Sequence, residues 1–340
     1  MNLLPFIRHT LIATALILSV PAYAQISSEQ EIAIIDTHNQ YDGTFSHETL
    51  LQRLNANGIG RVIISPHRDA RDEDLIAFGQ KHPDRLTIAV RTKTGALERE
   101  ASDPLIGQVR RPESGGMQEV LFWHQEKEVE TRGRAREVEI DIESSAVIRT
   151  IEAVQMRGWP FMVHYEFNGD QSDEETAKMM AKFERTLARS RAVNFALVHR
   201  GQLDADDTRR LIEAHPNFIS VLSQSTENKP EYGFTSIFLE GGGGLQPEWR
   251  QLLIDHADRF VLSFDAPFGH QWANRIPREA AIWRRTLQRL PIEVAHKIGH
   301  ENAERLWHLP PPLAITASET SAPAGNDTAG ERPKGGGKRK

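Results

Sequence analysis

Ile34-Ile35-Asp36-Thr37-His38 is a short apolar run that ends in an imidazole, and the same design recurs along the chain. Pro160-Phe161-Met162-Val163 leads into His164, Phe195-Ala196-Leu197-Val198 into His199, and Phe260-Val261-Leu262-Ser263-Phe264 into Asp265, while Glu119 lies inside Met117-Gln118-Glu119-Val120-Leu121-Phe122. A short apolar run closed by a polar residue reads as a buried parallel strand delivering one side chain at its carboxyl end. Working outward, eight such strands are predicted, over 33–37, 61–65, 86–91, 117–122, 161–164, 194–199, 218–222 and 260–264. Helical apolar spacing between them predicts helices over 47–57, 72–82, 144–156, 172–189, 204–215 and 247–257. Ser172-Asp173-Glu174-Glu175 carries an N-terminal cap and dipole pattern. Eight strands alternating with helices predict an α/β fold, a (β/α)8 TIM barrel, rather than a doubly wound sheet, and no glycine-rich phosphate loop follows the first strand. The carboxyl ends of barrel strands converge on one mouth, so the imidazoles and carboxylates are expected to make a divalent-metal site there.

The 340 residues suffice for one such domain with extra segments. A formal net charge of −6 and the lack of a basic, aromatic-interleaved stretch in the body argue against nucleic acid as a partner. A small-molecule substrate is expected instead. With no cysteine, disulfides, thiolate metal sites and a cysteine nucleophile are excluded. Arg8 and His9, the apolar stretch 10–20, Pro21 and Ala22-Tyr23-Ala24 read as a secretory signal over residues 1–24, cleaved after Ala24. The apolar stretch falls short of the ~20 residues a spanning helix needs. A periplasmic or secreted protein with no membrane span after cleavage is therefore expected. The catalytic domain is expected over 25–309, and 310–340 reads as a disordered Pro/Gly/Ser-rich tail with a basic end. Residues 92–116 read as a long loop over one barrel end, and 125–141 as an exposed helix or a solvated loop.

The ordered motifs resemble the amidohydrolase superfamily, most closely its amidohydrolase-related (family 2) branch. Asp36-Thr37-His38-Asn39-Gln40 is similar to that family's Asp-x-His-x-His opening, and His164 to its strand-five histidine. Leu197-Val198-His199-Arg200-Gly201 and Ser263-Phe264-Asp265-Ala266-Pro267 resemble its strand-six and strand-eight segments, and Ile298–Trp307 its closing helix. The resemblance implies a metal-dependent hydrolase of a small ester, lactone or amide, or a non-oxidative decarboxylase. His38, His164 and Asp265 are the implied first ligands, with Asp265 also accepting a proton, and His199 a second ligand or a hydrogen bond to substrate. Gln40 replaces the second histidine of the opening motif, and an amide oxygen is a poorer zinc ligand than imidazole. Glu119 compensates as a ligand, or else pairs with Arg91 or Arg110. Zinc is the expected ion, with manganese or magnesium favoured if oxygen ligands dominate, and a degenerate, non-catalytic barrel is the remaining alternative. Arg200, Glu166 and Trp123 are candidate substrate contacts. His67 reads as surface, and His124, His270, His296, His300 and His308 as structural. Trp272, Trp283 and Trp307 read as helix packing.

Overall fold

The computed structural model describes residues 32–129, 133–313 and 315. Nine short parallel strands occupy the eight predicted positions: β1 Ile35–Tyr41, β2 Arg61–Pro66, β3 Leu86–Val90, β4 Gly116–Met117, β5 Val120–Leu121, β6 Phe161–His164, β7 Phe195–Leu197, β8 Phe218–Val221 and β9 Phe260–Val261. They form two arcs, β1-β2-β3-β4 and β9-β8-β7-β6-β5. One seam closes where Thr37 N donates to Leu262 O (3.0 Å) and Asp265 N to His38 O (3.1 Å). At the other seam the predicted fourth strand is split: Gly116 and Met117 pair with β3, Val120 and Leu121 register with or beside β6, and Gln118-Glu119 fall in the gap. Both seams therefore carry candidate ligands. At the first, β1 bulges against β2 between Asp36 and Asn39, which sets Thr37 and His38 opposite a single partner residue. Such a bulge bends the strand and re-aims a side chain.

Helices α1 His47–Ala56, α2 Asp72–Lys81, α3 Asp103–Val109, α4 Ser145–Arg157, α5 Asp173–Arg189, α6 Ala205–Ala214, α7 Pro247–Asp255 and α8 Gly269–Leu287 cover the outside. Local chemistry places their ends. Ser46, Ser144 and Asp204 accept from backbone N–H groups as N-caps, Ser172 and Glu175 complete a capping box, and Gly158 ends α4 in the left-handed region. One apolar cluster fills the space between strands and helices, with Leu50, Leu54, Val147, Phe183 and Leu211 among its buried members. A second fills the barrel itself: Ile35, Ile63, Ala89, Met162, Ala196, Ile219 and Val261, with Ala303, Leu306 and Trp307 of the closing helix packed on them. Trp272 and Trp283 are likewise buried, as expected for helix packing.

Two connections differ from expectation. Residues 92–116 are not all loop; α3 lies within them, with Leu105 and Val109 buried. Residues 125–141 are neither helix nor simple loop. Lys127–Val129 pairs with Gly133–Ala135 and Trp123–His124 with Val138–Glu139, both antiparallel. The predicted signal segment lies outside the described residues, as does most of the predicted tail. Of the tail's described residues, Pro310, Pro311 and Leu313 are exposed, Ile315 is buried, and the Leu313 carbonyl runs so near Gly60 that a Cβ there would come within 2.8 Å of it.

Candidate metal centre

His38 is fully buried, and neither of its ring nitrogens has a hydrogen-bond partner among the described residues. An imidazole stripped of water and left unpaired is costly unless something completes it. Its Nε2 lies 3.6 Å from Glu119 Oε1 and 3.8 Å from Asp265 Oδ1, and His199 Nε2 lies 3.6 Å from Asp265 Oδ2. These separations are too long for hydrogen bonds, yet two tetrahedral ligands each about 2.1 Å from one ion stand about 3.4 Å apart. The His38, Glu119 and Asp265 donors fall within 4.8 Å of one another, and so do those of Glu119, His164 and His199. Two imidazoles and two carboxylates, all buried, fit a divalent cation in number and chemistry.

The neighbours orient this set. Ser223 Oγ sits 2.8 Å from His199 Nδ1, which leaves Nε2 facing the centre in the tautomer that carries its proton on Nδ1. Gln224 Nε2 donates to Asp265 Oδ2 (2.8 Å) and Gln40 Nε2 to Asp265 Oδ1 (3.4 Å). The amide at the departed histidine position thus steadies a carboxylate. Trp272 Nε1 holds the Gln40 carbonyl at 2.9 Å. His199, Gln224 and Asp265 all take positive φ (53°, 52° and 44°). Non-glycine residues seldom sit there, at a cost of about 1–3 kcal/mol each, and such strain collects at functional sites.

His164 is placed differently from a free ligand. Its Nδ1 lies 2.9 Å from Glu119 Oε2 and its Nε2 3.1 Å from Glu166 Oε1, so it bridges two carboxylates. Burial disfavours its charged form, but Glu119 and Glu166 outweigh burial and raise its pKa. Burial likewise works against ionised Glu119, and Lys93, His38 and His164 overcome it, holding the carboxyl well below the usual range. Asp265 is held low in the same way, against burial, chiefly by His38 and His199. For His199, burial dominates and keeps the ring neutral, as a ligand must be.

Sequence reading missed Lys93. Its ammonium pairs with Glu119, whereas Arg91, an expected partner, pairs with Asp72 at 2.7 Å and Arg110 is exposed. The signal was available: Lys93 follows the third strand, whose carboxyl end was not assigned a site residue. Ser223 and Gln224 stand just past β8, the seventh predicted strand, in the same way.

The predicted substrate contacts divide. Glu166 is buried beneath the mouth, taking Lys127 and the Gln125 backbone N–H (2.8 Å) on its carboxylate. Trp123 Nε1 donates to Gln171 at 3.2 Å, and Trp123 does not line the cavity. Arg200 is turned away from the mouth, with its guanidinium donating to Ser223 O, Ser225 Oγ and Thr235 O at 3.1–3.3 Å. The cavity over the centre, about 520 Å³, is instead lined by His67, His124 and His270, which sequence had given to the surface or to structural roles, together with Lys93, Phe234 and Arg275.

An α/β barrel with imidazoles and carboxylates gathered at the carboxyl ends of its strands defines a class of metal-centred barrel proteins. The chain belongs to the amidohydrolase family, whose model matches residues 21–309. Among solved structures it is similar to an amidohydrolase from Burkholderia multivorans with bound zinc (15% identity, TM-score 0.52, 82% of this chain and 100% of that one). It is also similar to an uncharacterized TIM-barrel protein from Bordetella bronchiseptica (13%, 0.55, 82% and 99%). A third similar structure is dihydroorotase from Saccharomyces cerevisiae in complex with 5-fluoroorotic acid (11%, 0.52, 85% and 86%). At these identities the likeness is one of fold. No curated protein matches the sequence.

Proposed function

We propose that the protein is a metal-dependent hydrolase of a small ester, lactone or amide. The observation that carries this reading is the buried, unpartnered His38 ring facing Glu119 and Asp265, with His199 Nε2 beside the same aspartate. His38, Glu119, His199 and Asp265 would hold the ion, with His164 joining them if it releases a carboxylate. The zinc bound by the Burkholderia relative supports a divalent cation here. Two carboxylates and the loss of one imidazole also suit manganese or magnesium. When bound, the cation supplies Lewis-acid polarisation of a carbonyl and activation of water.

The chain's own residues do the rest. Asp265, kept ionised and fixed by Gln40 and Gln224, accepts the proton of the attacking water at a carboxylate oxygen. Ser223 fixes the His199 ring. Lys93 balances Glu119 and presents a positive charge to the cavity, where a developing oxyanion would be stabilised. A decarboxylase would have called on Arg200 or Arg91 to hold the substrate carboxylate, and both guanidinia are committed elsewhere.

The substrate is a small molecule that fits the cavity, and the sequence of residues 1–24 supports export to the periplasm or beyond. Elemental analysis of the purified protein is expected to find a divalent metal in stoichiometric amount. Chelation should abolish hydrolysis of an ester and lactone panel, and re-addition of zinc or manganese should restore it. A protein that holds no metal and gains none on soaking overturns the reading.

A further inference from the structure

The chain is acidic overall, with a formal net charge of −6, yet its cavity is not. Six cationic side chains line it, Arg68, Lys93, Lys127, Lys229, Arg275 and Arg278, against three carboxylates, Glu119, Glu227 and Asp265. At the floor the charges balance locally: Lys93 pairs with Glu119, and Lys127 with Glu166 just beneath. At the rim they do not. Glu227 faces Arg275 NH2 at 2.9 Å, Lys229 Nζ at 3.5 Å and Arg278 NH2 at 3.8 Å, and behind it the buried Glu279 Oε1 lies 3.5 Å from Arg275 Nε. Even with Glu279 counted, two carboxylates face three cations. Arg68 adds a fourth, stacked 4.5 Å over the Phe268 ring and with no ion pair among the described residues. A cleft lined by one sign of charge concentrates ligands of the other.

The rim is also coupled to the centre. Arg275 NH1 donates to the Asp265 carbonyl at 2.8 Å, so one guanidinium spans from Glu227 to the backbone of the candidate general base. The rim cluster is therefore one side chain away from Asp265. Lys229 and Arg278 side chains are 45% and 60% exposed, free to turn toward an incoming anion.

We propose that the substrate carries a negatively charged group, a carboxylate or a phosphate, separate from the bond that is cleaved, and that Lys229, Arg278 and Arg68 bind it at the rim beside Glu227. Only the identity of the cleaved bond rests on the hydrolase reading.

The test measures binding as well as turnover, so the two can fail separately. Glutarate and inorganic phosphate are titrated calorimetrically into the metal-loaded protein at two salt concentrations. At least one is expected to bind, more weakly at high salt. The Lys229→Ala/Arg278→Ala double variant, changed only at exposed side chains, should bind about three- to tenfold more weakly. Glu227→Gln, which removes the competing carboxylate, should bind more tightly. The tighter of the two probes names the group as carboxylate or phosphate. In parallel, γ-butyrolactone is compared with its 3-carboxylate. Binding with these dependences but no turnover of any ester or lactone would sustain the anion site and sink the hydrolase. Turnover that favours the neutral lactone, or binding of neither probe, or binding indifferent to both variants, overturns the anion site.

Discussion

At the scale of single residues, the centre depends on groups that hold other groups still. Ser223 Oγ meets the His199 ring at Nδ1, at 2.8 Å, on the side away from the centre, and accepts from the His199 backbone N–H at 3.1 Å. Partners of this kind fix ring orientation, and their loss typically costs about 10–100-fold in metal affinity. Ser223→Ala should therefore weaken metal binding by about that factor in a chelator competition, with the fold intact by circular dichroism. Unchanged affinity would mean that the ring is held by packing alone. Lys93 makes a second case. Its side chain is 28% exposed and that of Glu119 is 2% exposed, so Lys93→Met would leave a buried carboxylate with only His164 and His38 to offset its burial. Breaking a buried pair costs about 3–5 kcal/mol, and the partial exposure of Lys93 puts the expected loss near the lower end. That loss should appear in the apoprotein and shrink once metal is added, because the cation takes over the neutralising role. A variant equally unstable with and without metal contradicts this account. His38, Glu119, His164, His199 and Asp265 were legible because each ends or interrupts an apolar run, a local signal. Lys93 and Gln224 were not singled out. Each follows its strand inside an ordinary polar loop, and only the closure of the barrel brings it to the centre. Arg200 misled for the converse reason: it directly follows His199, but a run of positive φ from His199 to Gln202 turns its side chain the other way.

At the scale of elements, periodicity and capping read six of the eight outer helices, while α3 and the longest, α8, were not among those predicted. Residues 47–56, 72–81, 145–157, 173–189, 205–214 and 247–255 are helical, each within a residue or two of expectation. The fourth strand was legible as an apolar run but not as two pieces, since its break is made by pairing with different neighbours on each side. The hairpins within 123–139 were hidden because their charged residues mask any alternation. Glycine positions test the element account with opposite signs. Gly233 (φ +74°) turns the chain between Tyr232 and Phe234, both cavity residues, and an added Cβ would lie 2.1 Å from Asn168 O. Gly233→Ala must shift that backbone and should lower the melting temperature by several degrees. Gly107, inside α3, meets nothing within 4 Å. Gly107→Ala should stabilise by about 0.5–1 kcal/mol through helix propensity. Chemical denaturation of both variants checks the pair; equal shifts would contradict the contrast drawn here.

At the scale of the whole molecule, buried groups titrate against each other. Burial lowers the pKa of His67 and His124 from 6.5 to about 4, so their neutral forms stabilise the fold above pH 6.5, and that contribution is lost as pH falls toward 4. His199, also pushed down by burial, acts in the same direction. Burial raises Asp36 from 3.8 and Glu279 from 4.5, both to about 7, with Arg275 partly opposing the rise at Glu279. Their contribution runs the other way: it is fully present below the unfolded values and is lost as pH rises toward 7. His164, raised from 6.5 by Glu119 and Glu166 against burial, acts in the same direction, but only above pH 6.5. Between about pH 6.5 and 4.5 the two carboxyls offset two of the three histidines, so the free energy of unfolding should fall only gently as pH falls. Below about pH 4 nothing compensates for Glu119, Asp265 and Glu166, whose ionised forms the fold holds well below their usual range, and stability should fall steeply. Glu279→Gln separates the terms. The variant keeps the histidines but lacks one carboxyl that gains a proton on folding, so its stability should decline more steeply than the parent's from pH 6.5 to 4.5. Urea denaturation of the two proteins at half-unit pH steps reads the difference directly, and parallel curves would show that Glu279 titrates no differently in the folded barrel than in the open chain.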